Sequence, residues 1–299
     1  MKLSVLIPAF NDDCSALVQS LHEVCSRWGE TFEIIIGDDA STDQTVLRQL
    51  KQTTELKGVR LIRQPENVGR ARIRNLLAEQ AQGDWLLFVD SDAAVPEDFS
   101  PQRFIEASQQ AKVVCGGLRH PAENPNPAAT LRYKYERKAD RRRAACFRAE
   151  HPYLHFTPFN LWIDRETFLK VRFDEQCREY GYEDVLFGAE LERRKIPILH
   201  IDNPLIHIGL EENSVFLDKT ETALRTLKDV AGKTQRHSHV ENLASRLRRH
   251  HLSGVVCGLY RLLRKPLRCN LLGKHPSLKL LAFYKLGYYL DLKDTPVTP

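Results

Sequence analysis

The chain has 299 residues, of which 42% are hydrophobic, 28% charged and 8% aromatic, with a formal net charge of +5. This balance is typical of globular proteins and excludes a disordered or fibrous chain. No stretch of about 20 residues is uninterruptedly apolar, so we expect no membrane-spanning helix. The seven cysteines are scattered without a C-x-x-C pair, which indicates a reducing compartment. Because the short apolar N-terminal stretch turns polar at Asn11, we expect no signal peptide and a cytoplasmic location.

Alternating apolar runs and amphipathic stretches dominate the first 120 residues. Continuous apolar strands separated by helices predict an α/β fold with a mixed, mainly parallel sheet that helices cover on both faces. A second half of the same domain follows, with a helix from Glu183 to Arg194. The predicted strands are Leu3–Ile7, Phe32–Ile36, Val59–Ile62, Trp85–Val89, Val113–Cys115, Phe159–Ile163 and Ile198–Ile201.

Acidic residues follow two of these strands, where ligands of such sheets bind. Asp90-Ser91-Asp92 comes directly after WLLFV. Two carboxylates at i and i+2 can both reach one hard cation, such as Mn²⁺ or Mg²⁺, although a solvated turn would look the same. Asp39 lies in a second acidic turn, in which Ser41, Thr42 or Asp43 can cap the next helix. Asp39 can also accept a hydrogen bond from the imide N–H of uracil.

Three further features carry charge or metal-binding groups. Arg70, Arg72 and Arg74 lie near a predicted helix N-terminus, where the helix dipole favours negative charge, so either an anion lies nearby or the face is solvated. Glu183-Asp184 can cap a helix or provide a general base. His207 is either structural or a metal ligand.

Five motifs together resemble a family 2 glycosyltransferase of the GT-A fold, over about residues 1–210. They are VLIPAFN (5–11), GDDASTDQT (37–45), NVGRARIRN (67–75), LLFVDSD (86–92) and FDEQCREYGYEDVLFGAEL (173–191). The Gly-x-Glu-Asp stretch followed by a histidine is also similar to galactosyl- and chondroitin-type transferases. Ala40 and Ile73 depart from the family pattern but remove no ligand.

The resemblance implies a metal-dependent, inverting enzyme that moves a sugar from a UDP-sugar to a hydroxyl group in cell-envelope polysaccharide synthesis. Asp184 would be the general base and Glu183 would bind the acceptor. Asp92 and His207 would hold Mn²⁺ or Mg²⁺. The nucleotide-sugar would be bound by Pro8, Ala9, Phe10, Asp39, Asn67, Arg74, Asp90 and Ser91.

The acceptor is expected to be a glycan or a lipid-linked molecule. Asn160, Trp162 and the basic run 132–148 are candidate contacts, and Trp162 is either a sugar-stacking or a core aromatic. Two other readings stay open, a sugar nucleotidyltransferase and a non-catalytic, membrane-attached nucleotide-sugar-binding protein. The first lacks its expected Gly-rich, Arg-containing loop, since PAFNDD occupies that place.

A helical pattern from about residue 213 onward separates a body at 1–212 from a basic helical region at 213–299. Residues 236–288 contain eleven Lys or Arg and one acidic residue. This region either packs on the core or lies on an anionic membrane surface, at the inner face of the cytoplasmic membrane. Nucleic-acid binding is disfavoured because no recognised module is present. The residues expected on the membrane face are Leu259, Leu262, Leu263, Leu267, Phe283, Tyr284, Tyr288 and Tyr289.

Overall fold

A seven-stranded sheet forms the centre of the protein in the computed structural model, which describes residues 2–140, 142–177, 179–231 and 238–292. Its strand order is β3-β2-β1-β4-β8-β6-β9. Only β8 runs antiparallel to its neighbours β4 and β6. The strands are β1 (Lys2–Ala9), β2 (Thr31–Asp38), β3 (Val59–Arg63), β4 (Trp85–Val89), β6 (Val113–Cys115), β8 (Asn160–Asp164) and β9 (Ile198–His200).

A second, three-stranded sheet lies beside the first and has the order β5-β10-β7. Sequence periodicity does not predict it, because each of its strands has only two or three residues. The strands are β5 (Ala93–Ala94), β7 (Leu118–Arg119) and β10 (Leu205–His207).

Helices cover both faces of the large sheet, and two separate apolar clusters fill the two interfaces. The helix α1 buries Leu17, Leu21 and Cys25, as its spacing predicts, and it ends at Gly29 with φ of 84°. The helices of this part are α1 (Ser15–Trp28), α2 (Gln44–Thr53), α3 (Arg70–Gln80), α4 (Pro101–Ser108), α5 (Thr130–Asp140), α6 (Ala145–Glu150), α7 (Arg165–Val171) and α8 (Glu183–Arg193).

The structure selects one of the three predicted caps of the second helix. The N-cap of α2 is Asp43, whose carboxylate accepts from the backbone N–H groups of Thr45 and Val46. Ser41, a predicted cap, instead accepts from the N–H of Asn11. The turn after β2 is therefore tied to the loop after β1.

Among the described residues four helices follow the body of the fold, and they pack on one another in two apolar clusters, one around Tyr260 and Tyr284 and one around Tyr289. None of the helices among the described residues combines the length and hydropathy that a membrane span needs. The helices are α9 (Asn213–Asp229), α10 (His239–Arg249), α11 (Ser253–Leu272) and α12 (Leu278–Asp291).

The expected membrane face needs a correction at three residues. Leu267, Tyr284 and Tyr289 are buried among the helices and cannot meet a membrane. Several other apolar side chains of α11 do face outward, and Leu262 is 77% exposed. The exposed apolar residues of α11 and its N-cap are Leu252, Val255, Leu259, Leu262, Leu263 and Leu272.

Candidate active site

A first cavity of about 380 Å³ opens at the carboxyl ends of β1, β2 and β4. Parallel strands end at the same edge of a sheet, which is why side chains distant in sequence meet here. Phe10 is half exposed at this cavity, whereas Ala9 is buried. The predicted residues that line it are Pro8, Ala9, Phe10, Asp39, Asn67, Asp90, Ser91 and Asp92.

Asp39 organises one wall of the first cavity. Its two carboxylate oxygens accept from the N–H groups of Val68 and Gly69, at 2.8 and 3.0 Å. The Asn67 amide donates to the Asp39 carbonyl oxygen at 3.1 Å. Burial raises the pKa of Asp39, although these backbone hydrogen bonds oppose the shift. A carboxylate has about four acceptor positions, so Asp39 retains capacity for one more donor.

Two arginines of α3 join two carboxylates from distant parts of the chain. Arg74 is 1% exposed and donates to Asp90 at 2.6 Å, and it also contacts Glu183 at 3.3 Å. Arg70 contacts the same pair, at 3.0 Å to Asp90 and 3.4 Å to Glu183. The anion that the arginine-rich helix start required is thus supplied, at least in part, by the protein.

This network sets the charge of Asp90. Burial opposes its ionisation, but the charges of Arg74 and Arg70 outweigh burial and lower the pKa of Asp90. Arg74 lines a second cavity and not the first, where Arg70 takes its place. Asp90 and Arg70 therefore line both cavities, whereas Arg74 contacts Asp90 from the second cavity alone.

Asp92 and His207 are brought together by the small sheet. β10 pairs antiparallel with β5, so that His207 lies opposite Ala93, and His207 Nε2 is 3.0 Å from Asp92 Oδ2. The segment that follows β10 requires a glycine at position 209, because a Cβ there would collide with the Asp92 carboxylate. Asp92 Oδ1 is buried and has no hydrogen-bond partner among the described residues.

Asp184 lies in the second cavity, which has a volume of about 460 Å³. It occupies the first turn of α8 after Tyr182, a left-handed residue with φ of 67°. Burial, and then the neighbouring charge of Glu183, raises the pKa of Asp184 to about 6. Glu183 itself is 6% exposed and is held by the two arginines.

Sequence reasoning missed two residues of this cavity, His120 and Glu136. Together with His207 they place their ligand atoms within 4.8 Å of one another. His120 Nδ1 lies 2.9 Å from Asp140, and burial lowers the pKa of His120. Their only sequence signals are a histidine before a proline-rich turn and one glutamate within a basic run, neither of which is specific.

Two predicted acceptor contacts are wrong. Trp162 is fully buried and stacks on Phe104 with ring centroids 5.3 Å apart. Asn160 is also fully buried, and its amide donates to the carbonyl oxygens of Gly117 and Asn203. Both side chains belong to β8 and stabilise the core, so neither can touch a molecule bound in a cavity.

The comparison with protein families decides the classification. The model described as "Glycosyl transferase family 2" matches residues 4–170, which is more than half of the chain. The chain belongs to this family. Four of the five motifs lie within this match, and the fifth, at 173–191, follows it.

Related family 2 proteins share only part of their length with this chain. An uncharacterized glycosyltransferase of Haemophilus influenzae is 33% identical over 96 residues, which are 32% of this chain and 38% of that protein. The poly(ribitol-phosphate) β-N-acetylglucosaminyltransferase TarS of Staphylococcus aureus is 35% identical over 31% of this chain and 16% of its own. The chain therefore spans well under half of the length of these curated relatives.

Solved structures support the GT-A fold over nearly the whole chain. Residues 1–349 of S. aureus TarS match with a TM-score of 0.52 and 16% identity, covering 97% of this chain and 90% of that one. A mannosyltransferase from Pyrobaculum calidifontis, solved with GDP-Man and Mn²⁺, matches with a TM-score of 0.58 and 12% identity, covering 96% and 84%. At such identities the likeness concerns the fold alone.

Proposed function

We propose that the protein is a metal-dependent, inverting glycosyltransferase that uses a UDP-sugar. Its acceptor is a hydroxyl group of a glycan or lipid-linked molecule in cell-envelope polysaccharide synthesis. The observation that carries this proposal is the 3.0 Å contact of Asp92 with His207. This pair lines the second cavity with Asp184, and Asp92 also lines the first cavity.

The chemistry of Asp92 and His207 fits a divalent cation. Carboxylate oxygen suits both Mn²⁺ and Mg²⁺, and imidazole nitrogen favours the transition metal. The buried Asp92 Oδ1, without a hydrogen-bond partner among the described residues, is the kind of atom that an ion satisfies. Asp92 and His207 would hold the ion. When bound, it would neutralise charge on a diphosphate leaving group.

The first cavity would bind the nucleotide. Asp39 retains acceptor capacity for the uracil imide N–H, and Asn67 fixes the Asp39 backbone. Pro8, Ala9 and Phe10 would form the apolar wall beside the base. Ser91 donates to Asp12 at 2.6 Å, which orders the turn between the two aspartates.

Asp184 would take the proton of the acceptor hydroxyl. A carboxylate with a pKa of about 6 is mostly ionised at neutral pH, yet it is more basic than an ordinary aspartate. The hydroxyl oxygen attacks the anomeric carbon from the face opposite the diphosphate. The bond between that carbon and the leaving oxygen breaks, its electron pair stays on the diphosphate, and the configuration inverts. Glu183, which we predicted to bind the acceptor, would instead hold Asp184 in place through Arg70 and Arg74.

The division into a GT-A domain at 1–212 and a basic helical region at 213–299 is part of the proposal. The outward leucines of α11 lie among Arg261, Arg264 and Lys265. Apolar side chains flanked by cations suit an anionic lipid surface. We therefore propose a cytoplasmic protein that binds peripherally to the inner face of the cytoplasmic membrane.

A thermal-shift panel tests the donor and the metal together. UDP-sugars with Mn²⁺ should raise the melting temperature more than GDP-sugars or UDP-sugars with EDTA, because ligands that bind only the folded state stabilise it. The variant Asp92→Ala should lose the metal-dependent part of the shift. An equal shift with EDTA would contradict the metal site.

Product analysis separates the alternatives. A glycosyltransferase releases UDP only as the sugar reaches an acceptor, a nucleotidyltransferase releases diphosphate from a nucleoside triphosphate, and a binding protein releases neither. We expect UDP release that depends on an added envelope extract.

A further inference from the structure

A third cavity, of about 650 Å³, lies between α5, α10 and α12. Its walls are mostly apolar. They are formed by helices that contribute few residues to the walls of the first two cavities. A sugar makes few favourable contacts with so many apolar side chains. The binding of a hydrocarbon chain, by contrast, is stabilised by the apolar area that it removes from water. The apolar wall includes Leu118, Leu243, Leu278, Leu281 and Leu286.

Of the five lysine and arginine side chains that line this cavity, three have no carboxylate partner among the described residues. They are Lys138 on α5, Arg142 just after it and Lys285 on α12. Across the described ranges of the chain, no carboxylate lies within 4.0 Å of the charged nitrogens of these three side chains. By contrast, Arg143 at the same cavity is paired with Glu136 and Asp140. The uncompensated positive charge is complementary to an anion.

The third cavity adjoins the candidate active site. It shares Leu118, Arg143, His155 and Thr157 with the second cavity, where Asp184 lies. The second cavity in turn shares Asp90 and Asp92 with the first. Three sites thus follow one another: the proposed nucleotide pocket, the general base, and a cationic apolar groove.

We propose that this groove binds the hydrocarbon chain and the phosphate groups of a lipid-linked acceptor. This inference rests on the proposed function and selects one of its two acceptor classes. The chain would lie on the leucines, and the phosphates would meet Lys138, Arg142 and Lys285. The sugar that follows the phosphates would then reach into the second cavity and present its hydroxyl group to Asp184.

The probe for the test is farnesyl diphosphate, titrated calorimetrically into the full-length protein in EDTA, below its micelle concentration. Farnesol supplies the chain without charge, and inorganic diphosphate supplies the charge without a chain. We expect both to bind at least tenfold more weakly than farnesyl diphosphate. Equal binding of inorganic diphosphate, equal binding of farnesol, or no binding of farnesyl diphosphate would each overturn the proposal.

Variants locate the binding site. Leu243 is 45% exposed at the groove, and Leu262 is 77% exposed on α11, outside it. Leu243→Asp and the double variant Lys138→Glu/Arg142→Glu should each weaken farnesyl diphosphate binding at least tenfold. Leu262→Asp, the matched control, should change it less than twofold. Equal effects of Leu243→Asp and Leu262→Asp would reject the groove.

Competition with UDP and Mn²⁺ distinguishes this proposal from the proposed function. Farnesyl diphosphate should stay bound when UDP and Mn²⁺ saturate the protein, and displacement would place it in the nucleotide pocket and reject the groove. Failure of UDP to bind, with farnesyl diphosphate still bound, would reject the donor assignment and leave the groove intact.

Discussion

The wall of the first cavity and the walls of the other two are built in different ways. The first is made at the ends of neighbouring parallel strands, so that each short motif places its own side chains beside the next motif. The other walls come from helices and from pairs far apart in sequence, such as Arg74 with Glu183 and Asp92 with His207. Local sequence therefore encodes the proposed nucleotide site, and the tertiary fold encodes the rest.

Charge is also balanced differently at the first two cavities and at the groove. Asp90 and Glu183 are neutralised by Arg70 and Arg74 inside the protein, which fixes the geometry at the junction of the first two cavities. Lys138 and Arg142 at the groove carry charge that no described carboxylate balances. The preorganised centre suits a common nucleotide-sugar donor. The cationic surface beside it, whose charge is not balanced, suits a specific, anionic acceptor.

The largest expected effect comes from Asp184→Asn, which removes the proposed base but keeps the side-chain shape. We expect the turnover number to fall by about 10²–10⁴-fold, the usual contribution of general base catalysis. UDP binding with Mn²⁺ should remain within about twofold, because Asp184 lines only the second cavity. Steady-state kinetics and calorimetry measure the two quantities.

Two results would separate catalysis from folding. A melting temperature equal to that of the wild type shows that Asp184→Asn is folded. Near-normal turnover in that folded variant would show that Asp184 is not the general base. Glu136 or His120 in the same cavity would then be the candidates for that role.

Arg74→Ala should have the next largest effect, this time on stability. It leaves the buried Asp90 and Glu183 with Arg70 as their remaining cation, and breaking a buried ion pair typically costs about 3–5 kcal/mol. Denaturant unfolding measures the loss. Arg193→Ala is the control, since Arg193 and Glu190 form an exposed pair on α8, and such pairs contribute little. Equal midpoints for the two variants would contradict the structural role of the arginine network.

Much of the fold could be predicted because its strands are short, continuously apolar and separated by amphipathic helices. β4 and β6 begin and end where the sequence predicts. The small sheet was missed since its strands are too short to show a period. That omission matters, because pairing of β10 with β5 is what places His207 at Asp92.

Residues of the site could be predicted only where they directly follow the end of a predicted strand. Asp90 and Asp92 follow an apolar strand and need no tertiary information. Trp162 and Asn160 were assigned to the acceptor by residue type, and the structure buries both because β8 lies between two other strands. The groove was not predicted at all, since its wall combines three helices and no local pattern joins them.

A smaller effect is expected from Glu183→Gln, read through pH dependence. In the proposed mechanism Asp184 acts in its ionised form, so kcat/KM should fall as pH drops through its pKa of about 6. The charge of Glu183 raises that pKa, and its removal also leaves Arg70 and Arg74 less neutralised; both changes favour the ionised form. The acidic limb should therefore move to lower pH, by about one unit or less. Saturating Mn²⁺ keeps metal occupancy constant, and a shift to higher pH would contradict this electrostatic account.

The smallest effect on the folded enzyme is expected from Val255→Asp/Leu262→Asp on α11. These side chains are 68% and 77% exposed, so stability should change by no more than about 0.5 kcal/mol per site. Flotation with anionic vesicles should nevertheless recover less of this variant than of the wild type, because aspartate removes apolar contact and adds repulsion. Val215→Asp, at an exposed apolar position of α9, is the control and should float normally. If all three proteins float equally, α11 is not the membrane face; if only the α11 variant is lost, the membrane surface and the acceptor groove belong to the same helical region, which would bring a lipid-linked acceptor to Asp184 from the membrane side.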